Sequence, residues 1–130
     1  MLITGQRGKV KLQTLPHSPV GYGVASGLLD EKEAMYHEER HLISNMVGSV
    51  DMRIDVGSPY YLAPKDTLVL STDGLSDNLH MAETVEGVRK GPLRNVAAKL
   101  AGMATERMEG KRPDVPSKPD DLTFLIFRLS

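Results

Sequence analysis

The chain has no cysteine among its 130 residues. Disulfides and thiolate metal sites are therefore excluded, and redox chemistry gives no reading of the compartment. It also has no apolar run approaching the ~20 residues that a membrane span needs, so no membrane partner is expected. The N-terminal MLITGQRGKVK lacks the apolar stretch of a signal peptide, which makes the cytoplasm the default location. Charge of either sign is not in excess, with 16 Lys and Arg against 17 Asp and Glu. That balance excludes a broad electrostatic footprint on nucleic acid. What remains is 40% hydrophobic and 25% charged residues, the composition of an ordinary globular protein. Its length suits one domain with a modest core.

The pattern along the chain predicts an α+β fold. MLIT, GQRG and KVKLQTL read as strand, tight turn and strand, with Val10, Leu12 and Thr14 alternating against Lys11, Gln13 and Leu15. PHSPVGYGVASGLL is rich in Gly, Pro and Ser and is expected to be loop. Asp30, with Glu33 three residues on, forms a capping-box pattern for a helix reaching about Ile43. MRIDVGSPYYLAP reads as a strand with a kink, and DTLVLSTDGLSDN as a buried strand ending at Thr72-Asp73-Gly74. AETVEGVRKG is a short helix closed by Gly91. Pro92 opens a second helix with Leu93, Val96, Ala97, Leu100 and Met103 on one face. EGKRPDVPSKPDD is an exposed loop, and LTFLIFRL is the last strand. Strands, helix, strands, two helices and strand imply antiparallel pairing.

Two candidate sites compete. His37, Glu38 and His41 spell H-E-x-x-H, the zinc peptidase signature in which two histidines one helical turn apart hold the metal and the glutamate activates water. The segment from Asp30 to Arg40 is nearly all charged or polar, whereas a catalytic helix packs into a core. No later segment offers a third ligand on its own helix. We read this stretch as solvated helix surface, with a zinc peptidase as the less favoured alternative.

The second candidate is acidic. A buried strand delivers Asp73 to a turn, and Gly74 lets the backbone pass without a side chain. A carboxylate held rigidly at a strand end suits a hard cation such as Mg²⁺ or Mn²⁺. Asp-Gly more commonly serves only as a turn, and on these residues alone both readings stand. Asp120 and Asp121 lie just before the last strand. If that strand pairs beside Leu68–Thr72, both acidic ends feed one metal centre.

DTLVLSTDGLSDN, the helix pair GVRKGPLRNVAAKLAGMATERM and PSKPDDLTFLIFRL together resemble the C-terminal half of the metal-dependent type 2C (PPM-type) protein serine/threonine phosphatases. MLITGQRGKVKLQTLPHSP is similar to that family's strand, turn, strand and T-x-x-H-S, and the pieces occur in the family's order over nearly the whole chain. The resemblance implies part of a β-sandwich with flanking helices, its N-terminal half absent. It implies a phosphoprotein substrate and a binuclear Mn²⁺ or Mg²⁺ site. Asp73 matches the family's metal-ligand aspartate in the D-G turn and Asp120 that of the D-N turn, where Asp121 replaces Asn. Asp77 matches a structural position, and Asp51 follows SNMVGS, where some members place a ligand for an additional metal. Residues 16–50 fall in the variable flap region. The family's D-G-H-G-G turn and phosphate-binding arginine have no counterpart in these residues. A truncated portion with little or no activity is therefore expected, with a non-catalytic binding module as the alternative. A sheet with uncovered edges or faces implies a homo-oligomer or a partner chain.

Overall fold

The computed structural model describes residues 1–130. Its contacts divide the chain into two compact units, Met1–Thr14 with Leu62–Ser130, and Leu15–Tyr61.

The first unit is built on one sheet. Strands β1 (Leu2–Thr4) and β2 (Val10–Gln13) form the expected hairpin, joined through Gly8 at φ 81°. Left-handed backbone at this turn is the conformation glycine adopts without a Cβ penalty. The later strand Thr67–Ser71 (β3) pairs with β1 on one side and with Phe124–Arg128 (β4) on the other, giving the antiparallel order β2-β1-β3-β4. β3, the strand between β1 and β4, is apolar at Leu68–Leu70 and polar at its ends, Thr67 and Ser71. β2 is an edge strand, and only Leu12 in it is half-buried.

Register puts Leu2, Val69, Phe124 and Ile126 on one face. There they pack with Leu75, Leu79, Val85, Val88, Val96, Leu100 and Ala104 in one hydrophobic core. The two expected helices supply the outer layer, Met81–Val88 and Leu93–Met108. Val96 and Leu100 of the second are buried as its periodicity requires, and the buried stripe continues through Ala104 to Arg107. Arg128 ties the sheet to the helices, donating from Nε to Thr67 Oγ1 at 2.9 Å and from Nη1 to the Gly91 carbonyl at 2.6 Å. The other face is uncovered in part, leaving Leu70 42%, Leu125 54% and Phe127 46% exposed. Three large apolar side chains on adjoining strands make this a surface suited to further packing.

The second unit contains two short helices, Pro19–Ala25 and Glu31–Tyr36. The first corrects the expectation of loop. Ser18 Oγ accepts from the Gly21 amide at 2.9 Å, and Pro19 occupies the first helical position, so cap and proline start a helix that composition had masked. Gly21 is needed because a Cβ there would lie 2.5 Å from the Pro16 carbonyl oxygen. The second helix has the expected capping box, with the Asp30 carboxylate accepting from the Lys32 and Glu33 amides. It ends at Tyr36 rather than near Ile43. No residue of this helix is fully buried, with only Ala34 and Met35 half-buried, and a short helix with so little packing is marginal in water. The expected strand over 52–64 is also absent, since those residues join no strand ladder.

Candidate metal centre

Antiparallel pairing of β3 and β4 places the end of one strand beside the start of the other, at Ser71 opposite Phe124. Asp73 follows the first end and Asp120 precedes the second start. Thr72 fastens the two. Its amide donates to the Thr123 carbonyl at 2.9 Å, and its hydroxyl accepts from the Thr123 amide at 3.1 Å and donates to the Asp121 carbonyl at 3.2 Å. Beyond it the chain turns into a one-turn helix, Asp73–Ser76, closed by Asp77. Asp73 and Asp77 are four residues apart and so share a helix face. Gly74 packs against the opposing backbone: a Cβ there would lie 2.3 Å from the Asp121 carbonyl oxygen. That contact is why the position has no side chain, and it draws the two acidic turns together.

The result is a cluster of three carboxylates, Asp73, Asp77 and Asp120, each offering an oxygen within 4.8 Å of the others. Asp121 is outside it and exposed, with its amide bound by Asp120 Oδ1 at 2.8 Å. Of the two adjacent aspartates, Asp120 is thus the one aimed at Asp73. Asp77, read from the sequence as structural only, faces the same point. Its i+4 spacing from Asp73 was the available signal.

Within the cluster lies a cation that the sequence reading missed. Lys118 Nζ is 2.5 Å from Asp77 Oδ2, 3.5 Å from Asp120 Oδ2 and 3.7 Å from Asp73 Oδ2. The hydrogen bond to Asp77 holds its ammonium above the usual lysine range against the opposing effect of burial, with the charges of Asp77, Asp73 and Asp120 adding to it.

The backbone of Lys118 is fixed by Asn78. This fully buried amide accepts from the Lys118 amide at 2.8 Å and donates to the Lys118 carbonyl and the Gly74 carbonyl, both at 2.9 Å. Asn78 is held in turn by Arg107, whose Nη1 donates to the Asn78 carbonyl at 2.7 Å and to Glu83 Oε2 at 2.8 Å. The guanidinium also reaches Glu83 Oε1 at 2.5 Å, a bidentate pair. The hydrogen bond from Arg107 holds the Glu83 carboxyl below the usual glutamate range, against the contrary effect of burial. A polar chain from Glu83 through the buried Arg107 and Asn78 to Lys118 therefore supports the acidic turns.

A carboxylate set of this kind fits a hard divalent cation, and a lysine ammonium already lies among its oxygens. Asp73, Asp77 and Asp120 are the residues that would hold the ion.

His37, Glu38 and His41 are not arranged as a zinc site. His37 ends the helix Glu31–Tyr36 with extended backbone, and its Nδ1 accepts from the Glu39 amide at 3.2 Å. Residues 38–41 continue as turn, so the two histidines do not share a helix face. They are not among the side chains whose ligand atoms converge. Asp51, in the second unit, is exposed.

No protein-family model and no curated protein sequence matches the chain. Solved structures do. A serine/threonine phosphatase of S. agalactiae superposes with a TM-score of 0.75 at 27% identity, over 98% of this chain and 49% of that one. The PPM Ser-Thr phosphatase MsPP of Mycobacterium smegmatis, solved with cacodylate, gives 0.73 at 22% identity over 99% and 51%. The PstP/Ppp phosphatase of Mycobacterium tuberculosis gives 0.68 at 22% identity over 98% and 50%. The antiparallel sheet with its helices is a partial PPM-type phosphatase fold. The chain spans about half the length of these proteins, as a C-terminal half of that fold does. No helix is long and apolar enough to cross a membrane.

Proposed function

We propose that this chain carries part of the metal centre of a protein serine/threonine phosphatase of the type 2C class, acting on phosphoserine or phosphothreonine monoesters. The observation that supports it is the convergence of Asp73, Asp77 and Asp120 at the junction of β3 and β4, within a fold shared with such phosphatases. Mn²⁺ or Mg²⁺ bound there would supply an activated water and neutralise phosphate charge, as two-metal sites do. The chain's own part is to fix the carboxylates. Thr72 sets the spacing between the strand ends, Gly74 allows their approach, and Asn78 positions the turn before Asp120.

We further propose that the 130 residues alone turn over little or no substrate. Three carboxylates fall short of the octahedral set that each Mg²⁺ requires, and two such ions need more. The face bearing Leu70, Leu125 and Phe127 is the proposed contact for a second copy or a partner chain.

The test is hydrolysis of a small aryl phosphate by the purified chain with Mn²⁺, beside Asp73→Asn, after light scattering of both. A mass above that of the monomer and no turnover beyond the metal blank are expected. Robust turnover that Asp73→Asn removes would overturn the claim of inactivity while supporting the phosphatase reading. Turnover indifferent to Asp73 would overturn the site itself.

A further inference from the structure

Lys118 lies in a loop of prolines and charges, residues 109–121, where a lysine would ordinarily extend into solvent. Here it does not. Its backbone is clamped on both sides by the buried Asn78 side chain, through bonds of 2.8 and 2.9 Å. Its side chain is only 21% exposed, and its ammonium lies within 3.7 Å of all three carboxylates. A divalent ion held by those same oxygens at about 2.0–2.6 Å would occupy the same space. Ion and ammonium cannot both be there: their volumes overlap and their charges repel.

We propose that Lys118 is a tethered competitor for the divalent cation, filling the acidic cluster when metal is scarce and raising the metal concentration at which the site loads. The proposal rests on the metal-centre reading above and concerns how that site is regulated. Three features of the chain carry it. The anchor is rigid, because Asn78 holds the peptide of residue 118 and is itself held by Arg107. The arm is flexible, because a four-carbon stem lets the ammonium swing out without moving the backbone. The competing charge is always present, so the threshold is a property of the protein.

The measurement is Mn²⁺ binding to the full chain, by calorimetry or from the electron paramagnetic resonance signal of free Mn²⁺. It would be made on the parent, Lys118→Met, Lys118→Arg and Asp73→Asn. Methionine keeps an unbranched stem and removes the charge, so Lys118→Met should bind Mn²⁺ roughly tenfold more tightly than the parent. Arginine keeps the charge, so Lys118→Arg should stay within about threefold of the parent. Lys118→Gln is the second uncharged variant should Lys118→Met fold poorly, and the same gain is expected of it. Equal or weaker binding by the uncharged variants, with Asp73→Asn still abolishing it, would overturn the role of Lys118 and leave the metal centre standing. No Mn²⁺ binding by the parent or by any Lys118 variant would overturn the metal-centre reading, and this proposal with it.

Discussion

Gly74→Ala is expected to lower the unfolding free energy by about 2 kcal/mol and to weaken Mn²⁺ binding by tenfold or more, roughly 1.4 kcal/mol or above. The added Cβ would lie 2.3 Å from the Asp121 carbonyl oxygen, 3.1 Å from its carbonyl carbon and 3.4 Å from Leu122 Cα. All three are backbone atoms, so no side chain can rotate away. Relief requires the segment around Asp121 and Leu122 to move off the helix Asp73–Ser76, which pulls on the Thr72 hydroxyl bond to the Asp121 carbonyl and carries Asp120 away from Asp73. Stability and metal binding should therefore fall together. Gly102→Ala is the matched control. It is exposed within the helix Leu93–Met108, a Cβ there would meet nothing within 4 Å, and the change should stabilise by about 0.5–1 kcal/mol. Urea unfolding of the two variants decides the matter. A Gly74→Ala protein as stable as the parent would show that the two acidic turns are not in contact.

Arg107→Ala is the second large effect, expected to cost about 3 kcal/mol at neutral pH. The side chain is only 7% exposed and its guanidinium serves Glu83 and the Asn78 carbonyl at once. Alanine would leave a carboxylate without its counter-charge and a carbonyl without its donor. The value sits at the low end for a broken buried pair because the Glu83 side chain is 31% exposed, and water can reach it. Replacing both partners together, Glu83→Met with Arg107→Met, should restore only part of the loss: an apolar pair removes the unpaired charge, but the Asn78 carbonyl and the His80 amide still lose their partners. The effect has a pH signature. The Glu83 carboxyl is held below its ordinary range in the folded chain by the hydrogen bond from Arg107. Its contribution is therefore complete above the unfolded glutamate pKa, about 4.3, and is lost as pH falls through the lower folded value. The gap between parent and Arg107→Ala should accordingly narrow below about pH 4. A gap of the same size at pH 7 and pH 3 would mean that the ion pair is not what the mutation removes.

The sheet and its acidic ends were legible because their signals are local. Leu68–Leu70 is an uninterrupted apolar run, and the last strand is equally plain. Asp73 and Asp120 stand at their ends, so a single assumption, that the strands are neighbours, brought them together. Lys118 was not legible. It sits among Pro116, Pro119 and several charges in a loop with no period to read, and only the long-range clamp from Asn78 aims it inward. The first helix of the Leu15–Tyr61 unit was hidden by its glycines, although Ser18-Pro19 carried the start signal. The overlong second helix arose from the opposite error: Glu38, Glu39 and Arg40 are good helix formers, but they have no apolar face to bury.

The central claim is that Asp73, Asp77 and Asp120 form one cation site. Its most direct test is an amide NMR spectrum of the full chain titrated with a small fraction of an equivalent of Mn²⁺, whose paramagnetism broadens nearby signals. Broadening centred on residues 73–78 and 118–121, and lost in the Asp73→Asn variant, is the expected result. Broadening centred on His37 and His41, or none at all, would contradict it.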